Sequence, residues 1–149
     1  MRVKRSRTLP AGRDAVWRVV ADPAHLPRWW PHVERVEDLR AEAWTAVLLS
    51  PKGKQLRADY TLTSIDPEHS IGWRHELEES AFERLLSEDL TEIVLEPQDG
   101  DRTTQVAIQA VRSPRGLSRL GGFLLRRATG RQLDEALDGL ARIVPEAAA

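Results

Sequence analysis

The chain has 149 residues, a net charge of −1 and no cysteine, and 41% of its residues are hydrophobic while 30% are charged. This length fits one domain with its own core, so we predict a single domain over residues 1–149. The lack of cysteine excludes disulfides, thiol catalysis and cysteine-bound zinc, and the near-zero net charge gives no overall attraction to nucleic acid or a membrane surface.

The N-terminal segment at residues 1–9 is basic but is not followed by an apolar run. No stretch of the sequence reaches the roughly 18 apolar residues that a membrane-spanning helix needs. We therefore expect no signal peptide and a cytoplasmic location.

The first 31 residues predict a strand and two short helices. Apolar spacing places them at residues 2–9, 15–21 and 25–30. Asp14 falls in the first turn of the first helix, where negative charge suits the helix dipole. Pro23 ends that helix because a proline disfavours helical backbone in the residue before it.

The middle of the chain predicts a series of antiparallel strands. Alternating polar and apolar residues place them at residues 33–40, 44–49, 55–65, 71–78, 82–95 and 103–112. Gly53 and the Pro97–Gly100 segment supply turns, and a tight connection is expected near Ser80 and Ala81.

The alternation also assigns side chains to the two faces of each strand. Tyr60, Trp73 and His75 share the inward faces of neighbouring strands. The strand at 82–95 leaves two possibilities, which one bulge would exchange. The inward set is either Leu86, Glu88 and Leu90, or Leu85, Ser87 and Asp89.

Residues 122–144 predict one long helix, because apolar residues recur there every three or four positions. We expect it to begin near Gly121 and Gly122, since each glycine costs about 1 kcal/mol relative to alanine inside a helix. The order of elements predicts an α+β fold, with a curved antiparallel sheet of six to seven strands wrapped around the C-terminal helix. A space usually remains between such layers, and it is the expected ligand site.

Two adjacent segments carry a family resemblance. Ala15-Val-Trp-Arg-Val-Val-Ala-Asp-Pro23 and Leu26-Pro-Arg-Trp-Trp-Pro-His-Val33 resemble the START-like (SRPBCC) superfamily, in particular its bacterial polyketide cyclase/dehydrase and lipid-transport branch. Trp73, Leu95-Glu-Pro97, the Asp-Gly turn before Thr103 and the long terminal helix extend this likeness over nearly the whole chain. The resemblance implies a helix-grip fold and says little about the ligand.

The resemblance also implies that the second short helix lies at the mouth of a hydrophobic cavity. Trp29 would then pack inward, and Trp30 would line or cover the entrance. The alternative is that both indoles only fill the core, since large aromatic side chains bury most of their area wherever they lie.

We therefore expect the cavity to bind or carry a small hydrophobic molecule such as a lipid, a polyketide or an isoprenoid-like compound. The candidate ligand-binding residues are Trp29, Trp30, Trp44, Tyr60, Trp73, His75, Leu86, Leu125, Thr129 and Leu133. The third possibility, after the enzymatic one given next, is a protein-interaction module with a filled cavity and an exposed apolar patch. Both a monomer and a homodimer are compatible with the sequence.

The enzymatic alternative is a cyclase or dehydratase. His75 and Tyr60, with Glu88 or Asp89, would transfer protons in an aldol cyclisation or a dehydration. The competing interpretation is that His75 and Tyr60 hydrogen-bond each other or a ligand. Residues 75–79 lack the second histidine of a zinc protease motif, and residues 116–122 lack the Lys-Ser/Thr of a phosphate loop, so we expect neither metal nor cofactor.

Residues 112–131 contain several arginines among apolar residues and no acidic residue. Such a segment can make transient contact with anionic lipid head groups. The alternative is that these arginines are solvated or pair with the acidic residues between Glu76 and Glu92. Nucleic-acid binding is not expected, because the segment lacks interleaved exposed aromatic residues.

Overall fold

A computed structural model describes residues 1–116 and 119–145 of the chain. Three helices and seven strands are assigned within this part. The helices are α1 (Arg13–Val20), α2 (Leu26–Trp29) and α3 (Arg119–Ile143), with a 3₁₀ turn at Pro23–His25 before α2. The strands are β1 (Arg2–Leu9), β2 (Val33–Glu37), β3 (Ala43–Leu49), β4 (Gln55–Asp66), β5 (Ser70–Glu76), β6 (Leu86–Gln98) and β7 (Thr103–Pro114).

The seven strands form one antiparallel sheet in the order β1-β7-β6-β5-β4-β3-β2. Strands β2 to β6 each pair with the next strand in the sequence, and β1 adds to the far side of β7. The predicted α+β architecture, an antiparallel sheet with a long C-terminal helix, is therefore confirmed.

The core lies between the sheet and the C-terminal half of α3. One face of this helix is fully buried and consists of Leu133, Ala136, Leu137 and Leu140, at the spacing of an amphipathic helix. These residues belong to one cluster with Val106, Ile108 and Ala110 of β7 and with the valines of α1. Salt bridges from Arg5 to Asp134 and from Arg7 to Asp138 also connect β1 with α3.

Gly139 allows α2 to lie directly against α3. A Cβ atom there would come within about 3.0 Å of the Cα and carbonyl carbon of Trp29, and closer still to its carbonyl oxygen. Any larger residue would force the two backbones apart. The position of Trp29 and Trp30 therefore depends on this glycine.

Several predicted boundaries were wrong, and β2 and β5 end at Glu37 and Glu76 instead of at residues 40 and 78. Strand β6 begins at Leu86 and not at residue 82, because residues 77–85 form a longer connection in which the Ser80 hydroxyl donates to Leu77 O at 2.7 Å. Strand β6 also continues through Pro97, whose missing N–H does no harm because β5 pairs only as far as Val94. Helix α3 begins at Arg119, with Gly121 and Gly122 in its first turns, since glycine propensity is a weak constraint.

Candidate ligand-binding site

A small cavity of about 30 Å³ lies between α2, the sheet and α3. Leu26, Val33 and Ala46 form its apolar end. Its aromatic wall consists of Trp30, Trp44, Tyr60 and Trp73, and its polar wall of Asp89, Thr91, Arg112 and Gln132. A space of this size holds about one water molecule.

The aromatic wall follows from the pairing of β3, β4 and β5. Trp44 is directly opposite Tyr60, and their rings stack with centroids 5.8 Å apart and an interplanar angle of 18°. Trp73 packs edge-on against Trp44 at 5.8 Å and against Trp30 at 5.7 Å. Edge-to-face and offset contacts of this kind are the preferred arrangements of aromatic pairs, so the wall is well packed.

The polar wall is organised around Arg112. Its Nε donates to Asp89 Oδ1 at 3.2 Å, and its two terminal nitrogens donate to Thr129 Oγ1 at 2.9 Å and Gln132 Oε1 at 2.5 Å. Asp89 lies directly opposite Arg112 in the β6–β7 ladder. Because the guanidinium is held by β6 and α3 together, the polar wall joins the sheet to the helix.

Asp89 has a second contact on its other side, with His75 Nδ1 at 3.4 Å from Oδ2. Burial opposes ionisation of Asp89, but the hydrogen bond with His75 and the charge of Arg112 outweigh it and hold the pKa of Asp89 below its usual range. Asp89 is therefore an ion at neutral pH, and the pair with Arg112 leaves the wall close to neutral in charge.

The pKa of Tyr60 is shifted in the opposite direction, upward. Burial and the nearby Asp89 charge raise the pKa of its hydroxyl well above the usual range, although Arg112 opposes the shift. The residue as a whole is only partly buried. The hydroxyl lies near the ionised Asp89, whose charge opposes its ionisation. Tyr60 is thus a neutral donor at any physiological pH.

The sequence matches a family model described as "Polyketide cyclase / dehydrase and lipid transport" over residues 1–145. The chain belongs to this family. No curated protein matches the sequence.

Solved structures of other proteins have the same fold as this member of the polyketide cyclase/dehydrase family. A START superfamily protein from Mycobacterium smegmatis is 12% identical with a TM-score of 0.78, and the match covers 96% of each chain. The Zhui aromatase/cyclase from Streptomyces sp. R1128 is 20% identical with a TM-score of 0.76, over 95% of this chain and 92% of the other. The START-like resemblance of the sequence is therefore confirmed, and these low identities speak for the fold alone.

The structure of this family member brings five of the predicted residues to the cavity: Trp30, Trp44, Tyr60, Trp73 and Asp89. Thr129 is one step removed, since it is buried and supports Arg112. Trp29 is buried beneath Trp30, with ring centroids 5.3 Å apart.

His75 is buried but does not line the cavity. Its ring lies 4.8 Å from that of Tyr60 and 5.0 Å from that of Phe82, behind the aromatic wall. It reaches the cavity only through its contact with Asp89. The alternative in which His75 and Tyr60 hydrogen-bond each other is not seen, and the two rings are tilted by 31° relative to one another.

The remaining predicted residues lie elsewhere. Glu88 is exposed on the outer face of β6, so its proposed place in the cavity is wrong. Alternation along the regular part of β6 causes this. Asp89 continues the buried face of Thr91 and Ile93 at a period of two, so Glu88 points the other way. The bulge between Leu86 and Glu88 lies before both residues. Leu86 and Leu125 are half-buried and do not line the cavity, and Leu133 is part of the closed core.

Sequence reasoning missed Arg112, Thr91 and Gln132. Arg112 continues the inward face of Val106, Ile108 and Ala110 at a period of two, and this signal was available. By the same rule Thr91 lies on the inward face of β6 with Asp89, because this strand pairs regularly with β7 from Glu88 onward.

Trp30 also lines an outer cleft of about 380 Å³ between α2 and α3, together with Arg28, Glu135 and Arg142. The same indole thus separates the inner cavity from an open, charged cleft. It caps the C-terminal end of α2, where the backbone becomes extended. This position fits the predicted role of Trp30 at the entrance.

Within residues 1–116 and 119–145, no three histidine or carboxylate side chains are grouped as a metal site would need. In the same part of the chain, no helix has the length and apolar character needed to cross a membrane. The cytoplasmic location stays a prediction. Leu120, Phe123 and Leu124 are exposed on α3, and the membrane contact expected of residues 112–131 also stays a prediction.

Proposed function

We propose that this protein binds a small hydrophobic ring compound between the sheet and α3. The observation that carries the proposal is the convergence of Trp30, Trp44, Tyr60 and Trp73 on one cavity whose opposite wall is a buried polar network. An apolar space with a single polar wall suits a ligand that is mostly apolar and has one polar group. Ring burial would provide roughly 25 cal/mol per Å² of apolar area before the costs of association.

The cavity must enlarge to accept such a ligand, because its volume of about 30 Å³ is far below that of a ring compound. Trp30 is the side chain whose movement would join the cavity to the outer cleft. The ring of the ligand would then replace part of the indole packing against Trp73. Moving Trp30 costs energy, so only a fraction of the molecules is open at any time. The observed affinity equals the affinity of the open form multiplied by that fraction.

A cyclase or dehydratase activity is the second candidate, and the contact between His75 and the cavity residue Asp89 favours it. The pairing of Asp89 with Arg112 counts against it. A carboxylate whose pKa is lowered by a histidine hydrogen bond and a nearby guanidinium is a weak general base. His75 has no direct access to the cavity, so a proton would have to pass through Asp89.

An interaction module is the third candidate. The small volume of the cavity and the exposed Leu120, Phe123 and Leu124 of α3 favour it. It differs from the leading proposal in a simple way: it predicts no response of the cavity tryptophans to small molecules.

The test is a comparison of native and denatured mass spectra of the purified protein, followed by titration of tryptophan fluorescence with 1-naphthol, α-tetralone and palmitate. We expect a bound apolar compound or saturable quenching by at least one ring compound. The Trp30→Ala variant should bind that compound faster, and Trp17→Phe, outside the cavity, should bind it as the wild type does. An empty spectrum with no saturable quenching by any probe would contradict the proposal.

A further inference from the structure

One hydrogen-bond donor of the cavity has no acceptor. Trp44 is 2% exposed, and its Nε1 has no hydrogen-bond partner among the described residues. Buried indole N–H groups usually find an acceptor, because an unpaired polar group in the interior is costly. Trp44 lines the cavity, so a ligand in the cavity can supply the missing acceptor.

A second donor lies beside it. The Tyr60 hydroxyl makes no hydrogen bond with any described residue, and Tyr60 lines the same cavity opposite Trp44 in the β3–β4 ladder. The raised pKa of Tyr60 keeps this hydroxyl protonated. The cavity thus presents two neutral donors on stacked rings, and neither makes a hydrogen bond with a described residue.

The charges of the polar wall are already balanced. Arg112 donates from its Nε and both terminal nitrogens to Asp89, Thr129 and Gln132, and its single positive charge is balanced by Asp89. Asp89 remains ionised beside it. A carboxylate brought into this space would face the Asp89 carboxylate without a cation of its own, which is unfavourable at low dielectric.

We propose that Trp44 Nε1 and the Tyr60 hydroxyl select an uncharged ring compound that carries an acceptor oxygen, such as a ketone, and that Asp89 excludes its carboxylate analogues. This inference rests on the proposed function and adds the polar group that the site recognises. Trp44 and Tyr60 are the specificity-determining residues in this account.

Three probes that share one bicyclic ring system test it: α-tetralone, tetralin and 1,2,3,4-tetrahydro-1-naphthoate. They are measured by equilibrium dialysis against the wild-type protein. We expect α-tetralone to bind about tenfold more tightly than tetralin, since a hydrogen bond to a buried unpaired donor is gained only by the ketone. The carboxylate should bind more weakly than either.

Two variants remove the donors while they keep an aromatic ring. Trp44→Phe and Tyr60→Phe should each bring the ratio of α-tetralone to tetralin affinity toward one, and Tyr60→Phe does so by the loss of a single oxygen atom. Trp17→Phe, outside the cavity, should leave the ratio unchanged. Thermal melting checks that each variant is folded.

The outcomes separate the two proposals. Equal binding of α-tetralone and tetralin by the wild type, or a ratio that survives both cavity variants, would overturn the inference while ring binding stands. Tighter binding of the carboxylate would overturn the exclusion by Asp89. Binding of no probe would remove the proposed function and the inference with it.

Discussion

The two halves of α3 have opposite surroundings. In the C-terminal half, Leu133, Leu137 and Leu140 are at most 1% exposed and close the core against the sheet. In the N-terminal half, Leu120 is 68% exposed and Phe123 is 59% exposed. The C-terminal half therefore fixes the fold, whereas the N-terminal half covers less of the interior and contributes less to stability.

The cavity lies near the boundary between these halves. Gln132 lines it and Thr129 reaches it through Arg112, just before the closed core begins at Leu133. A ligand site at this boundary can change shape without disturbing the core. The C-terminal half of α3 thus stabilises the fold, whereas the residues just before it contact the cavity.

The largest expected effect is on the closed half. Leu137→Ala should lower the free energy of unfolding by about 2–5 kcal/mol, because it leaves a cavity in a fully packed core. The matched change in the exposed half, Leu124→Ala, should alter it by no more than about 0.5 kcal/mol. Chemical denaturation measures both. Equal losses would show that the two halves do not differ as described.

The second-largest effect is expected at the ion pair between Asp89 and Arg112, which lies near the boundary between the two halves of α3. Asp89→Asn should lower the free energy of unfolding by about 2–4 kcal/mol, because it leaves the partly buried Arg112 without its counter-ion. The control is Asp134→Asn, which breaks an exposed ion pair with Arg5 and should cost about 0.5 kcal/mol or less. If the two variants lose the same amount, the Asp89–Arg112 pair contributes no more to stability than an exposed ion pair.

The same residue predicts a pH dependence. The folded-state pKa of Asp89 lies below its unfolded value, so its contribution to stability is fully present above about pH 4. It is lost as the pH falls from there through the folded-state pKa. Denaturation of the wild type and of Asp89→Asn between pH 2 and pH 7 should therefore give two curves that approach each other in acid. A constant difference over this range would contradict the assignment.

Smaller changes in stability, of opposite sign, are expected when two glycines of α3 are replaced by alanine. Gly139→Ala should destabilise the protein by about 1–3 kcal/mol, since its methyl group meets the backbone of Trp29. Gly122→Ala has open space around it and should stabilise by about 0.5–1 kcal/mol through helix propensity. Thermal melting distinguishes the two signs. A gain at Gly139 would mean that α2 moves freely over α3.

The sequence was sufficient for most of the fold, since a period of two gave the inward faces of β4 and β5 with Tyr60, Trp73 and His75. It was insufficient at β6, because alternation alone does not say which of the two faces of a strand is buried. The burial of Thr91 and Ile93 decides this in the structure and places Asp89 on the inward face. Arg112 was missed because an arginine on an inward face resembles a surface residue until its partners are known. The volume of the cavity depends on how the indoles pack against one another, which no sequence pattern specifies.

The most direct measurement of the central claim uses the five tryptophans as reporters. An NMR titration with α-tetralone would follow the indole N–H signals of a protein labelled with ¹⁵N-tryptophan, assigned by single Trp→Phe variants. The account predicts that the signals of Trp30, Trp44 and Trp73 shift, with the largest change at Trp44, while Trp17 stays constant. Saturable binding that leaves the Trp44 signal unmoved, or that shifts Trp17 instead, would place the ligand outside the cavity and contradict the account.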